Sequence, residues 1–522
     1  MKDNNRCETF PPLEAPTDTL IASGGDDRLD VDLENGYNNY GCSSVPGFRL
    51  SYSYSTASSI STAAFSHVSA MHRGLQQSAK ADDLRTIYFN KHNEFRRRLL
   101  NVLNLPPAVR VVFGPSGTDL ELAVLALAGF SRERKVHNIV LGVDEVGSGI
   151  RYVAQGKYCK SQTVMGTQVK VGEMVPGFLE EDISLSEVSV RSDAGNPRTS
   201  KEVLDDLVAQ VDFALGRNMR PLIHIVHRSK TGLILPDWDD VKEALESKRG
   251  QVDLVVDACQ GRTSKDVLAN YLSWGALVLF TGSKFFGGAP FSGALLIPDS
   301  YDARIKGKML PGGLAEFFTK AEWPDCYQSE ASILSEALNF GLVLRWESAL
   351  YEMERFFGIP SSRVAKVVDA FQNAVAWMCE TYLFIKQVAP AVPAVKTASG
   401  PSDPLEREMI YTVELRDINN VDPLTSDDAR RIYKYLYSCF ESEECEEEDR
   451  ETLKTVVHLG QPVNCYPFGN DDWRATLRIS LGAPIISDIA FLDASSIEQR
   501  FKADMSLIAK KVSLGIHYLK KF

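Results

Sequence analysis

The spacing of hydrophobic and polar positions changes character twice along the chain. Up to about residue 50 there is little periodicity and much Asn, Asp, Gly and Pro, which predicts an extended arm. Residues 58–78 and 82–105 carry apolar side chains at helical spacing. Short β-branched runs then recur: VRVVF (109–113), NIVLGV (138–143), PLIHIV (221–226), VDLVV (252–256), ALVLF (276–280) and GALLIP (293–298). Each is followed by a turn and usually by a helical pattern. These runs are continuously apolar, as in strands covered on both faces. They predict an α/β fold with a mainly parallel sheet between helices. In such sheets ligands bind beyond the C-terminal strand ends. Residues 330–357 and 361–384 predict long amphipathic helices. After Pro and Ser clusters near 389–404, the order is strand 409–415, helix 426–440, strands 454–460 and 474–481, and helix 496–519. That order predicts a small α+β unit. The expected organisation is an N-terminal arm and first helix (1–80), a large α/β domain (81–325) and a smaller C-terminal α+β domain (326–522).

Composition narrows the partners more than the fold. With 44% hydrophobic and 24% charged residues the chain is an ordinary globular one. A net charge of -12 argues against nucleic acid or an anionic membrane as the main partner. No apolar run approaches the ~18 residues of a membrane span. The first twenty residues lack the basic and apolar regions of a signal peptide. Nine cysteines without a CxxC motif read as reduced thiols, and the expected location is cytoplasmic. The acidic run ESEECEEEDR (441–450) reads as a solvated loop. No metal is expected.

Candidate chemistry sits just after predicted strands. After VRVVF, the turn GPSGTD places Ser116, Gly117 and Thr118 at the opening of a helix. Free backbone N–H groups, the positive helix end and two hydroxyls suit a phosphate there. They equally suit a plain N-cap by Ser116 or Thr118, with Asp119 in the first turn. After VDLVV come Asp257 and Gln260, in DACQ. A carboxylate at a strand end can keep a ring nitrogen protonated, or it can cap a helix. After ALVLF comes Lys284, preceded by Thr281 and Ser283 and followed by glycines. Exclusion of water favours a neutral, nucleophilic amine, whereas a snorkelling lysine would do no chemistry. Arg474 and Arg478 are spaced to share one face of a strand. A guanidinium there can clamp a carboxylate or form a surface salt bridge. Neither a Walker A motif nor GxGxxG is present, which disfavours a nucleotide site. A phosphate cradle, an anion, an amine and a carboxylate clamp are together what pyridoxal phosphate needs.

The same motifs resemble those of the fold-type I pyridoxal-phosphate enzymes, most closely the class V aminotransferase and cysteine desulfurase branch. The resemblance runs from about residue 85 to 300 and extends to the C-terminal strand. It implies a seven-stranded-type sheet, pyridoxal 5'-phosphate as cofactor, an amino acid substrate and a homodimer. FGPSGTDLE is similar to the family's phosphate turn, which implies phosphate contacts from Ser116, Gly117 and Thr118. HRSKTGLILP puts Ser229 where an asparagine meets the cofactor's 3-oxygen. VDACQ assigns Asp257 to the pyridine nitrogen and Gln260 to the 3-oxygen side. TGSKFFGGAP implies that Thr281 and Ser283 lie beside the phosphate and that Lys284 forms the Schiff base. LRISLGAP implies that Arg478 binds the substrate carboxylate, and SYSTASSIS that Ser55 and Thr56 border the substrate. LPGGLAEFF (310–318) lies where relatives reach towards the partner subunit. The pattern departs at Ser283, where a histidine is common, and at Glu145 and Val146, where relatives stack a histidine or another aromatic on the ring. Cys326, Cys439 and Cys445 have no desulfurase-like context. The expected activity is transamination or lyase chemistry, by elimination or replacement. The alternative is a non-catalytic protein of the same fold, or a phosphate-ligand-binding one.

Overall fold

A computed structural model describes residues 10–47, 49–129, 135–388, 403–438, 449–468 and 472–519. Residues 441–448 of the acidic run, Cys439, Cys445 and most of the 389–404 cluster lie outside the described residues.

All six apolar runs form strands of one sheet. They are β1 (Arg110–Gly114), β2 (Val136–Leu141), β4 (Arg220–His227), β5 (Asp253–Ala258), β6 (Leu277–Thr281) and β7 (Gly293–Ile297), with β3 (Ile183–Val188) added at the edge. The order is β1-β7-β6-β5-β4-β2-β3, and Ile234–Leu235 folds back onto β4. β7 is antiparallel to β1 and β6, while the pairs from β6 to β3 are parallel. β3 has no counterpart among the expected strands because its sequence, ISLSEV, is partly exposed along most of its length and so carries no apolar run. Alternate side chains enter separate cores on the two faces. Val111, Phe113, Val256 and Phe280 go to one, and Val112, Val140, Val255 and Leu279 to the other. α1 (Gly117–Gly129) is buried along nearly its whole length against the second core.

The expected helix over 330–357 is shortened to α2 (Phe340–Phe357). The Asn339 side chain starts it by accepting from the Leu342 N–H; before it, residues 330–333 form a turn, Ser335 bridges Thr319 and residues 336–339 have no regular structure. The expected extended arm is also corrected. Thr17–Ile21 forms a short helix packed on α2. Fully buried Arg345 of α2 donates to the carbonyls of Ile21, Ser23, Gly24 and Phe291. Asn339 Nδ2 donates to Gly24 as well, at 3.0 Å. Side chains far along the chain hold this segment down, so no local periodicity marks it.

The C-terminal part has an antiparallel sheet of β8 (Ile385–Val388), β9 (Ile410–Leu415) and β10 (Thr476–Ser480). The strand expected at 454–460 is only Val457–Leu459, and it pairs in parallel with Leu50–Tyr52 instead. That pairing carries residues 53–56 to β10, where Ser53 bridges Ser480.

At the opposite end of the sheet from the strand C-termini, Asp253 fixes the start of β5. Its buried carboxylate accepts from Arg220 (2.6 and 2.8 Å), Arg304 (2.7 and 3.0 Å) and the Tyr301 hydroxyl. Burial pushes this carboxyl up, but hydrogen bonds from Arg220 and Arg304 outweigh it and hold the group below the usual carboxylate range. A depressed carboxyl stabilises the fold above its unfolded value of about 3.9, and that stabilisation is lost as pH falls through the folded value. Asp253→Asn is expected to cost about 3 kcal/mol at pH 7 in urea unfolding. The difference from the parent protein should shrink on acidification below pH ~4. A pH-independent difference would exclude the ion cluster as its source.

Candidate functional site

The C-terminal ends of β1, β2, β4, β5 and β6 open into a cavity of ≈ 300 Å³. Every site residue that the family resemblance assigned lines it: Ser116, Gly117 and Thr118 from the start of α1; Ser229 beyond β4; Asp257 and Gln260 at β5; Thr281, Ser283 and Lys284 at β6; Ser55, Thr56 and Arg478 from the C-terminal side.

At the α1 end, Ser116 Oγ donates to Asp119 Oδ2 at 2.6 Å and accepts from the Asp119 N–H at 3.2 Å. The turn therefore has the N-cap pattern and still presents first-turn N–H groups that lack intrahelical acceptors. Burial pushes Asp119 up to about 6, with Arg28 opposing. Gly117 is required by proximity, since a Cβ there would lie 2.6 Å from Cys259 Sγ. Gly117→Ala is expected to lower stability by about 1–3 kcal/mol through overpacking, and Cys259→Ala should relieve it. Additive losses in urea unfolding of the double variant would show that the clash is not the cause.

Asp257 Oδ1 accepts from the Cys259 N–H at 2.9 Å, which turns the chain away from β5. Thr281 Oγ1 donates to the Cys259 carbonyl at 2.7 Å, tying the ends of β5 and β6 together. Lys284 follows three residues after β6, and its carbonyl accepts from the N–H of Gly287, which has φ 67°. The tight turn needs that left-handed backbone, and a Cβ on Gly287 would also meet Pro484 at 2.4 Å. Gln260 Nε2 donates to the Ser55 carbonyl at 3.1 Å. The Ser55 hydroxyl is buried without a partner among the described residues.

Arg478 is 3% exposed and faces the cavity from β10. It donates to the carbonyls of Gln461, Ser55 and Lys230 and to Thr56 Oγ1, the last at 2.7 Å. Burial lowers it to about 10. Among the described residues no carboxylate pairs with it. Arg474 separates from Arg478: it pairs with Glu414 at 3.0 Å outside the cavity. Ser229 reaches the cavity, but its hydroxyl donates to Glu145 Oε2 at 2.7 Å. Glu145 also takes Arg191 at 2.6 Å and Thr231. Burial pushes Glu145 up, but Arg191 and these hydroxyls prevail and hold it below the usual range. Val146 offers an apolar wall. The LPGGLAEFF segment lies outside the cavity and is tied to its own chain through Gly313 N–H to Pro176 O at 2.7 Å.

Arg28, Phe291, His224 and Lys230 are among the lining residues that escaped the sequence reading. Arg28 reaches over from the N-terminal segment, 2.6 Å from Asp26 and 3.4 Å from Ser116 Oγ. Phe291 holds φ 71° beneath it, with the guanidinium 4.9 Å from the ring centre. His224 is hydrogen-bonded to Asn138 at 2.8 Å. Lys230 follows β4, and its strand-end position was the one signal that could have found it. Arg28 has no such signal.

No family model and no curated protein matches this chain. Solved structures do. The cystine C-S lyase C-DES, in complex with its reaction product cysteine persulfide, has a TM-score of 0.51 and 15% identity over 88% of this chain and 97% of that one. A C-DES variant with glycine covalently linked to the PLP cofactor gives 0.51 and 15%, over 88% and 96%. A NifS-like protein from Rickettsia africae gives 0.49 and 13%, over 88% and 99%. At these identities the likeness is one of fold, and the C-DES structures share this chain's architecture, the fold-type I arrangement expected from its motifs.

Proposed function

We propose that this chain is a pyridoxal-phosphate-dependent enzyme acting on an amino acid, by transamination or by lyase chemistry. One observation carries the reading. Lys284, Asp257, the start of α1 and a buried guanidinium without a carboxylate partner all open into one cavity at the sheet's ligand end. The residues fit the cofactor. The N–H groups of Gly117 and Thr118, with Arg28 beside them, suit a phosphate. Ser116 and Thr281 complete that wall, with their hydroxyls engaged to Asp119 and the Cys259 carbonyl. Asp257 suits the pyridine nitrogen, Gln260 the 3-oxygen side and Lys284 the aldehyde. The unpartnered Ser55 hydroxyl is a polar group that a ligand would satisfy.

Bound there, the cofactor supplies the electron sink for bonds broken at the substrate's α-carbon. Asp257 holds the proton on the ring nitrogen, which keeps that sink effective. Arg478 holds the substrate carboxylate; fixed by three carbonyls and Thr56, its guanidinium is positioned before substrate arrives. Lys284 would hold the cofactor's aldehyde and would carry the proton at the substrate's α-carbon. Val146 and Phe291 shield the reacting atoms from water.

The test is a visible spectrum of the purified protein, before and after reconstitution with pyridoxal phosphate. A band from the lysine-bound cofactor is expected. A panel of amino acids, scored for keto acid, sulfide and ammonia, sorts transamination from elimination. A protein that stays colourless after reconstitution would exclude the reading.

A further inference from the structure

A second cavity, of ≈ 510 Å³, adjoins the first. The two share Ser148, Ile150, Lys230 and Gln461 as walls. The outer cavity runs between the segment after β2 and the helix α3 (Ser426–Tyr437). Its charge is lopsided. Lys230, Arg151, Arg430 and Lys434 line it, against Asp144 alone. Two of these cations are already matched: Arg151 pairs with Glu187 at 2.8 Å, and Arg430 pairs with Asp427. Lys230 and Lys434 have no carboxylate partner among the described residues.

Lys230 is the informative one. Its backbone is held at both ends of the peptide: its N–H donates to the Glu145 carbonyl at 2.9 Å, and its carbonyl accepts from Arg478 Nη1 at 3.4 Å. The side chain is therefore presented beside the carboxylate clamp and at the junction of the two cavities. Of the two acids near it, Glu145 is consumed by Arg191, Ser229 and Thr231, and Asp144 lies 3.8 Å from Arg151. Burial, with Arg478 and Lys284 nearby, lowers Lys230 to about 8. A desolvated ammonium without a counter-ion is costly, and an anion arriving with the ligand would remove that cost. With Lys284 given to the aldehyde, Arg478 and Lys230 remain, one cation more than a single α-carboxylate requires.

We propose that the outer cavity is the side-chain subsite, and that the substrate is an amino acid whose side chain ends in an anion, either a carboxylate or a phosphoryl group. Lys230 pairs with that anion at the junction, and Lys434 lies at the outer wall. The inference rests on the functional reading above, since Arg478 is taken to hold the α-carboxylate.

The test follows the visible band of cofactor-loaded protein during titration with L-norvaline, L-glutamate, L-2-aminoadipate and O-phospho-L-serine. Calorimetry with glutarate and with inorganic phosphate reports the subsite without cofactor chemistry. At least one acidic amino acid is expected to bind on the order of 10- to 100-fold more tightly than norvaline. Which of them does so separates carboxylate from phosphoryl. Lys230→Met should abolish that advantage and the glutarate or phosphate heat, Lys230→Arg should keep both, and Lys434→Glu should reduce both. Equal binding of norvaline and every acidic amino acid overturns the subsite and leaves the enzyme reading standing. So does a Lys230→Met variant that weakens norvaline and the acids alike, which would assign Lys230 to the α-carboxylate. Glutarate binding that Lys230→Met removes, with no amino acid perturbing the band, supports the subsite and overturns the amino acid reading.

Discussion

Lys284→Ala is expected to lose the visible band of the lysine-bound cofactor and to lower turnover on the order of 10⁴-fold, near the upper limit for loss of one acid–base group. The size follows from two tasks meeting in one amine. In the proposed function Lys284 both anchors the aldehyde and carries the proton, and among the described residues the other cavity lysine, Lys230, is committed by its backbone to the Arg478 side. The fold should survive, because Lys284 closes its turn through its backbone carbonyl to the Gly287 N–H and not through its side chain. Circular dichroism and urea unfolding close to those of the parent protein check this. Retained turnover in the folded variant would remove Lys284 from the chemistry. Recovery of part of the activity on adding a small primary amine would point specifically to the missing proton carrier.

The second large effect is expected at Asp257. Asp257→Asn keeps the shape and the acceptor for the Cys259 N–H but removes the charge. Without a fixed anion at the ring nitrogen, the charge that develops in the transition state is less well stabilised, and turnover should fall on the order of 10²- to 10³-fold. Cofactor retention should change far less, since the phosphate and aldehyde ends keep their partners. The spectrum separates the roles: the band remains in Asp257→Asn and disappears in Lys284→Ala. Should Asp257→Asn turn over at the parent rate with its band intact, Asp257 is only the cap of its own loop. The N–H bond at 2.9 Å already gives it that structural role.

Much of this could be read along the chain because it depends on local spacing. A strand buried on both faces must be apolar throughout, so six runs announced the sheet, and chemistry just beyond a strand end announced the site. The placing of the GPSGTD turn, Asp257 and Lys284 at the cavity was legible for that reason. Edge strand β3 was not, because an edge needs no apolar run. The start of α2 was misplaced because apolar spacing continues upstream of Asn339, while the helix begins where that side chain caps it.

By itself, then, the sequence determined the α/β class, the mainly parallel sheet and the set of residues at its ligand end. Tertiary structure alone decided which of the two strand arginines enters the cavity. Arg478 lies within β10 beside Gly460 and Ser55, whereas Arg474 precedes that strand and meets Glu414. It also decided that Arg28 reaches Ser116 at the start of α1, that Ser229 gives its hydroxyl to Glu145, and that Lys230 borders a second cavity. The physical reason is the same in each case. Periodicity records which face of an element is buried, but a partner drawn from a distant part of the chain leaves no period. Pairing Leu50–Tyr52 with Val457–Leu459 brings together segments about 400 residues apart, and nothing in either one names the other.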